Sequence, residues 1–334
     1  MAPDFIGIGA QKAGTTWLHR NLQPHPRIFM PRKEVHYFDR KVDDRSNALS
    51  RLRGKRQVDE QWRRQVRHWL GLHARTLSLG SLLWDLKYYM RRYDDDWYAS
   101  VFEPSRGRVT GEITPAYSAL GEEKVARVHG LAPEAKIIFM MRNPIERVWS
   151  HAVMSFDKVE KGSVGSVPER KLLRKVGRDS TRSLTDYLRT LDTWRRFYPD
   201  ERIFVGFLED VHFFPEELLR AVYGFLGVDP SFRSPEPEKK VHVRSDNSMP
   251  AGVAVELART FGGQTKRLEE RLGGYASFWR FCAERLAENP PDGRVAYPLW
   301  GSPLWEEWTR GTGVARPRFQ SGPLASPELT RKGE

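Results

Sequence analysis

The 334-residue chain holds one cysteine, Cys282. No intrachain disulfide can form, and a zinc site built from several cysteines is excluded. That usage suits a reducing compartment. Long apolar runs are missing too: no stretch approaches the roughly 20 residues that span a bilayer. Residues 1–10 carry Asp4 and no basic stretch leading into an apolar one, so no secretion leader is visible. A cytoplasmic protein of bacterial style, without a transmembrane segment, is the expectation. Acidic residues run short as well, with 43 Asp and Glu against 55 Lys and Arg and a net charge of +12. The excess serves either a solvated basic surface or polyanionic ligands. Apolar and aromatic residues are not scarce: at 39% and 12% they support a packed core and argue against disorder. The length suits one large α/β domain with insertions, or two small domains.

What is present is concentrated first in Phe5-Ile6-Gly7-Ile8-Gly9-Ala10-Gln11-Lys12-Ala13-Gly14-Thr15-Thr16-Trp17-Leu18. The segment reads as a short apolar strand, a Gly/Lys/Thr turn and the start of a helix. Such a turn leaves backbone N–H groups pointing outward. The helix N-terminus adds a partial positive charge, and Lys12 adds a full one. The product is an anion cradle for a phosphate-like group. Gly9 and Gly14 have the separation of the glycines in a nucleoside-triphosphate loop. Thr15 follows Gly14, however, and the lysine sits earlier, inside the turn.

Further apolar runs at 108–113, 136–141 and 202–208, with a shorter one at 27–30, are separated by helical stretches. They predict a parallel sheet covered on both faces. Ligands of such sheets sit beyond the carboxyl ends of the strands, so the loops after residues 9, 30, 113 and 141 should converge. Residues 40–96 stand apart, with 14 Lys/Arg against 8 Asp/Glu. Trp62, Val66, Trp69 and Leu70, and then Leu79, Leu82, Leu83, Leu86, Tyr89 and Met90, recur at helical spacing and predict two amphipathic helices. These either pack as a hairpin on the main domain or form a lid or docking surface for an acidic or membrane-associated acceptor. Residues 157–183 read as a mobile loop, 184–198 and 215–226 as helices, 229–250 as an irregular connection and 251–288 as helical. The expected organisation is a single domain over 1–310, with a basic helical insertion at 40–96 and a C-terminal helical part at 251–310. A flexible tail is expected at 311–334.

A second block is Met140-Met141-Arg142-Asn143-Pro144-Ile145-Glu146-Arg147-Val148-Trp149-Ser150-His151. A strand delivers Arg142 at its carboxyl end, and Asn143-Pro144 suits a helix start. Ser150 then lies about two turns along. A guanidinium fork beside a hydroxyl can hold a phosphate monoester through charge-assisted hydrogen bonds.

A lysine inside the turn with Gly-Thr-Thr after it resembles the 5′-phosphosulfate loop of sulfotransferases that use 3′-phosphoadenosine 5′-phosphosulfate (PAPS). Arg142, followed eight residues later by Ser150, resembles the 3′-phosphate motif of the same enzymes. Pro31-Arg32-Lys33-Glu34-Val35-His36-Tyr37-Phe38-Asp39 is similar to the Lys-Glu-x-His-Phe-Phe segment of the heparan-sulfate sulfotransferase branch. Trp97-Tyr98 through Phe102-Glu103-Pro104, and Glu112-Ile113-Thr114-Pro115-Ala116-Tyr117, resemble later segments of that branch. The resemblance covers residues 3–39 and 97–230, and more weakly the chain to about 275.

The resemblance implies a P-loop-NTPase-like α/β fold, with a central five-stranded parallel sheet flanked by helices. It implies transfer of a sulfuryl group from PAPS, leaving adenosine 3′,5′-bisphosphate, to a hydroxyl or amine of a small-molecule, lipid or carbohydrate acceptor. No metal is expected. Lys12 would stabilise the leaving oxygen. Gln11, Lys12, Ala13, Gly14, Thr15, Thr16 and Trp17 would form the donor loop, with the 5′-phosphate on the backbone of Gly14, Thr15 and Thr16. Arg142 and Ser150 would hold the 3′-phosphate. Glu34 matches the family's general base. His36 competes for that role, since an imidazole titrates near neutral pH, although its neighbours Val35, Tyr37 and Phe38 suit a packed, orienting histidine.

There are departures from the pattern. Ile113 stands where the heparan-sulfate branch often has a lysine, and the gap between Asp39 and Trp97 is longer. A Lys-Gly-Arg-x-His-Pro loop is missing, and Arg331-Lys332-Gly333 lies in the tail. The basic segment 239–246 is a candidate to close over the donor. Trp84, Tyr88, Tyr89 and Trp97, with Trp300, Trp305 and Trp308, belong either to the core or to an acceptor pocket. Two other classes stay open. An ATP- or GTP-dependent kinase or NTPase would want Lys-Ser/Thr after Gly14 and an acidic residue ending an apolar strand, to organise magnesium. A nucleic-acid-binding protein would want a groove-reading or base-stacking signature, and none is evident, so no nucleic-acid partner is expected. Peripheral membrane contact fits the basic insertion, and the oligomeric state is left open.

Overall fold

A computed structural model describes residues 1–40, 48–55, 57–75, 79–160, 167–239, 248–313 and 317–324. The apolar runs form the expected sheet: β1 (Phe5–Gly9), the short β2 (Ile28–Phe29), β3 (Val109–Ile113), β4 (Lys136–Met141) and β5 (Ile203–Phe207). These run parallel in the order β2-β3-β1-β4-β5. Every residue of β1 and β5 is buried, as a strand covered on both faces requires. A Cβ on Gly7 would lie 2.7 Å from the Ile113 side chain, so the β1–β3 spacing depends on glycine there. The chain visits β2 and β3 on one side of β1, then β4 and β5 on the other. The order reverses at the β1/β4 pair, and the crevice beyond its carboxyl ends is where a ligand belongs.

Helix α1 (Thr15–Leu22) leaves β1 directly. The insertion folds as α2 (Ala48–Arg53), α3 (Gln57–Arg75), α4 (Leu79–Met90) and α5 (Asp95–Ser100). Trp62, Val66, Tyr88, Tyr89, Trp97 and Tyr98 are buried and continuous with the main core, so α3 and α4 pack on the domain. The buried stripe of α4 differs from the expected one. Leu79, Leu83 and Leu86 are 73%, 60% and 40% exposed, while Asp85, Tyr88 and Tyr89 face inward. A half-buried arginine from the loop after β2, Arg32, explains the choice, since its guanidinium pairs with Asp85.

Helix α6 (Glu122–Leu131) joins β3 to β4, and α7 (Pro144–Glu160) follows β4. Of the segment 157–183 expected as a mobile loop, residues 161–166 lie outside the described residues; the rest continues α7 to Glu160 and forms α8 (Glu169–Val176) and α9 (Asp179–Ser183). Its charge concealed a stripe: Leu172 and Val176 are buried, and the buried Arg147 donates to the Thr181 carbonyl at 2.9 Å. Then come α10 (Tyr187–Arg195), α11 (Leu208–Phe213) and α12 (Pro215–Leu226), the last ended by Gly227 in the left-handed region at φ 76. The C-terminal helical part is two helices, α13 (Ala251–Leu272) and α14 (Tyr275–Glu288), broken at Gly273 and Gly274, with α15 (Pro303–Thr312) after them. Short strands β6 (Ser248–Pro250) and β7 (Arg294–Ala296) pair antiparallel.

Within the segment expected to be a flexible tail, β8 (Gly322–Pro323) pairs antiparallel with β5 as a sixth strand. Buried Asp210 holds it, accepting from the backbone N–H groups of Gln320 at 3.1 Å and Ser321 at 2.7 Å. The proposed closing loop 239–246, apart from Lys239, and the tail residues Arg331, Lys332 and Gly333 lie outside the described residues.

Candidate active site

The cradle lies at the β1/β4 crevice. Gly9, Lys12 and Gly14 have φ of 148°, 74° and 85°, a succession of positive values that turns the chain sharply into α1. A Cβ on Gly14 would meet Leu208 at 3.1 Å and would force an L side chain into a rarely adopted backbone. No side chain caps α1, so its first amide groups are left for an anion. Lys12 and Gln11 are half-buried around this turn, Ala13 and Thr15 are buried, and Lys12 Nζ reaches Met154 Sδ at 3.9 Å. Thr16 is half-buried. Trp17 is buried, and its indole N–H donates to the Pro237 carbonyl at 2.7 Å.

Arg142, at the end of β4, comes against this turn. Its Nη1 donates to the Lys12 carbonyl at 3.3 Å, its Nε to Glu146 at 3.0 Å and its Nη2 to the Tyr297 hydroxyl at 2.6 Å. Burial opposes the charge, but Tyr297 and Glu146 outweigh it and raise the guanidinium above its ordinary value. Glu146 also accepts from the Leu299 N–H, which ties α7 to the segment after β7. Ser150 is buried on α7, further along the same helix. The sequence reading assigned Arg142 and Ser150 but missed Tyr297 and Glu146. Tyr297 is 155 residues from Arg142, and nothing local marks it.

On the other side of the cradle stands the loop after β2. Lys33 Nζ donates to Thr16 Oγ1 at 2.6 Å and lies 3.1 Å from a Glu34 oxygen. His36 sits between two carboxylates, with Nε2 3.4 Å from Glu34 and Nδ1 2.8 Å from Asp39. Glu34 and His36 both have left-handed backbone, at φ 63° and 55°. Such conformations cost roughly 1–3 kcal/mol each and persist only where the surroundings fix them. Here the Glu34 N–H donates to the Ile113 carbonyl at 3.1 Å and the Tyr37 N–H to the Tyr117 hydroxyl at 2.9 Å. Tyr117, Tyr98 and Thr114 all donate to the fully buried Glu112, whose carboxyl burial raises. This strand end is thus a rigid base for the loop.

The hydrogen bond from His36, reinforced by Lys33 and opposed by burial, holds the Glu34 carboxyl down at about 2. For His36, burial favours the neutral ring, but the bonds to Asp39 and Glu34 prevail and push it up to about 9. At neutral pH Glu34 is therefore a carboxylate and His36 an imidazolium. An imidazolium has no lone pair to accept a proton, whereas Glu34 has. Asp39 and Lys33 were in the segment quoted from the sequence without a role; the three-residue step from His36 to Asp39 was the available signal. His19, on α1, is driven down to about 4, chiefly by burial, and is neutral.

Trp84, Tyr88, Tyr89 and Trp97 pack around arginines of the loop and on one another. Trp300, Trp305 and Trp308 pack on Phe213 and Phe278. Tyr88, Tyr89, Trp97 and Trp308 belong to the core, and Trp84, Trp300 and Trp305 pack against it half-buried. Among the described residues, no helix is long and apolar enough to cross a membrane, and no three His, Cys, Asp or Glu side chains are placed to hold a metal ion.

A sequence profile of the Sulfotransferase family matches residues 3–232. Heparan sulfate glucosamine 3-O-sulfotransferase 6 of Mus musculus is 26% identical over 203 residues, covering 59% of this chain and 44% of the relative. Its Homo sapiens namesake is 29% identical over 145 residues, covering 41% and 40%. The chain thus spans less than half the length of these curated relatives. A sulfotransferase crystal structure from Alicyclobacillus acidocaldarius shares the fold at TM-score 0.54 and 24% identity, covering 80% of this chain and 95% of that one. Over more than half its length, from the anion cradle through the Arg142 helix and beyond, the chain belongs to the sulfotransferase family.

Proposed function

We propose that the protein is a PAPS-dependent sulfotransferase that moves a sulfuryl group to a hydroxyl or amine of a small-molecule, lipid or carbohydrate acceptor by in-line displacement. The observation that carries the reading is the 3.3 Å contact between Arg142 and the Lys12 carbonyl. It joins the turn after β1, which carries Lys12, to the residue after β4, and so supports a reading in which both cations serve one bisphosphorylated nucleotide. The residues fit such a ligand: uncapped amides at α1, hydroxyls at Thr15 and Thr16, and a guanidinium just after β4 with Ser150 on the helix that follows.

The donor supplies an activated sulfuryl group in a sulfate–phosphate anhydride. Gly14, Thr15 and Thr16 hold its 5′-phosphate through their N–H groups, and Arg142, Ser150 and Tyr297 hold its 3′-phosphate. Lys12 meets the charge that develops on the leaving oxygen. Glu34 accepts the acceptor's proton. His36 and Asp39 orient Glu34. Lys33 spans Thr16 and Glu34, so an anion in the cradle competes with Glu34 for its ammonium and leaves the carboxylate more basic. The kinase reading lacks its acid. Glu209 and Asp210 follow β5, but they accept from Trp279, Tyr275 and Ser321.

Incubating the protein and a small-molecule extract with sulfur-labelled PAPS and, in parallel, with ATP labelled at its γ-phosphate, followed by mass spectrometry, tests the function. Labelled sulfate esters or sulfamates and adenosine 3′,5′-bisphosphate are expected together; labelled phosphoryl products from ATP would replace this reading with the kinase one.

A further inference from the structure

Arg32 lies two residues before Glu34 and reaches away from the cradle into the insertion. Its guanidinium pairs with the fully buried carboxylate of Asp85 on α4. It lies 4.0 Å from the ring centre of Trp69, 5.1 Å from Trp84, 5.2 Å from Tyr89 and 5.5 Å from Tyr88. Its Nε and Nη1 are buried without a hydrogen-bond partner. All the groups that hold it come from α3 and α4. A planar, weakly hydrated cation is suited to such a box, and cation–π attraction strengthens when water is excluded. The box also explains why α4 turns Asp85, Tyr88 and Tyr89 inward and leaves Leu79 and Leu83 exposed.

The far end of the same loop is held alike: Arg40 lies 4.1 Å from the Tyr93 ring and donates to the Val35 carbonyl at 3.1 Å. Between these two fixed arginines stand the left-handed residues Glu34 and His36.

We propose that Arg32 is a positioning residue, seated in a socket built by the α3–α4 hairpin, which fixes where the Glu34–His36–Asp39 trio stands relative to the donor cradle. The assignment rests on the reading of Glu34 as the proton acceptor. The insertion thereby governs turnover without touching the donor. Lysine at position 32 keeps the charge beside Asp85 but cannot fill the box with a planar group. Asparagine at 85 keeps the shape but not the charge.

The test uses Arg32→Lys and Asp85→Asn in the full chain, with three readouts: NMR titration of His36, turnover, and calorimetry with adenosine 3′,5′-bisphosphate. Folded variants should bind the bisphosphate as the wild type does and lose roughly 10–100-fold in turnover, the scale of a slightly misplaced catalytic group. Their His36 midpoint should fall from about 9 towards the ordinary 6.5 as its carboxylates drift. A merely structural role would lower melting temperature and nucleotide affinity together while leaving His36 at about 9 in the folded protein. That outcome, or wild-type turnover with an unmoved His36 in either variant, overturns the proposal. If the wild type neither binds the bisphosphate nor transfers sulfate, the functional reading fails, and the His36 midpoint still decides whether the socket positions the trio.

Discussion

Arg142 Nη1 donates to the backbone carbonyl of Lys12 across 3.3 Å, joining the end of β4 to the turn after β1. The contact lies where the strand order of the sheet reverses. On the proposed function, each side of the crevice would supply one anion site, as a ligand with phosphates at both ends requires.

Lys12→Ala removes the charge from the turn and leaves its backbone in place. Transfer should fall by about 100-fold or more, the scale seen when one preorganised group at a developing charge is deleted. The circular dichroism spectrum should be unchanged. A variant with full activity takes the leaving-group role away from Lys12.

Glu34→Gln keeps the shape and removes the proton acceptor. Turnover should drop by roughly 100- to 10,000-fold with donor affinity nearly intact. His36 loses one of its two carboxylates, so its midpoint should also fall below about 9. Pre-steady-state formation of the sulfated acceptor and NMR read the two effects separately. An unchanged rate passes the role to another group.

The His36 shift has a sign for stability. Its folded value lies above the ordinary 6.5, so its contribution is fully present below about 6.5 and is lost as pH rises through about 9. Glu34 is shifted the other way; its contribution is present above 4.5 and is lost as pH falls towards about 2. Between pH 6.5 and 9, only the His36 contribution of this pair changes. The stability difference between wild type and His36→Gln, from urea unfolding, should shrink across that interval. A difference that stays constant, or grows, contradicts the placement of His36 between two carboxylates.

Much of the cradle was legible because its chemistry is contiguous: Gly9, Lys12, Gly14, Thr15 and Thr16 occupy one turn, and a single strand delivers Arg142. Other parts depend on contacts across long separations. Tyr297 meets Arg142 from a distant loop, and β8 is two residues long and contains proline, too little to carry a strand pattern. In α4 the expected stripe holds at Tyr89 and Met90 but not at Leu79, Leu83 and Leu86, which are exposed. The aromatic stripe is buried because a charged Arg32 has to be enclosed there, a demand made by a residue outside the helix. Helices α8 and α9 were hidden by their Lys and Arg content, although Leu172, Val176 and the Arg147–Thr181 bond help hold them to the core.

Gly14→Ala tests the turn itself. At φ 85° with Leu208 3.1 Å from the new Cβ, alanine should destabilise the fold by about 1 kcal/mol or more. Binding of any 5′-phosphate should weaken with it. Thermal unfolding alongside nucleotide titration distinguishes this from a surface change, which would alter neither.

The central claim is that two cationic sites grip opposite ends of one nucleotide, and isothermal titration calorimetry addresses it most directly. Adenosine 3′,5′-bisphosphate should bind the wild type much more tightly than adenosine 5′-phosphate. Arg142→Lys, which keeps a charge beside buried Glu146, should erase most of that preference, and Lys12→Ala should weaken both ligands. Equal affinity for the two nucleotides in the wild type, or a preference untouched by Arg142→Lys, would contradict the account.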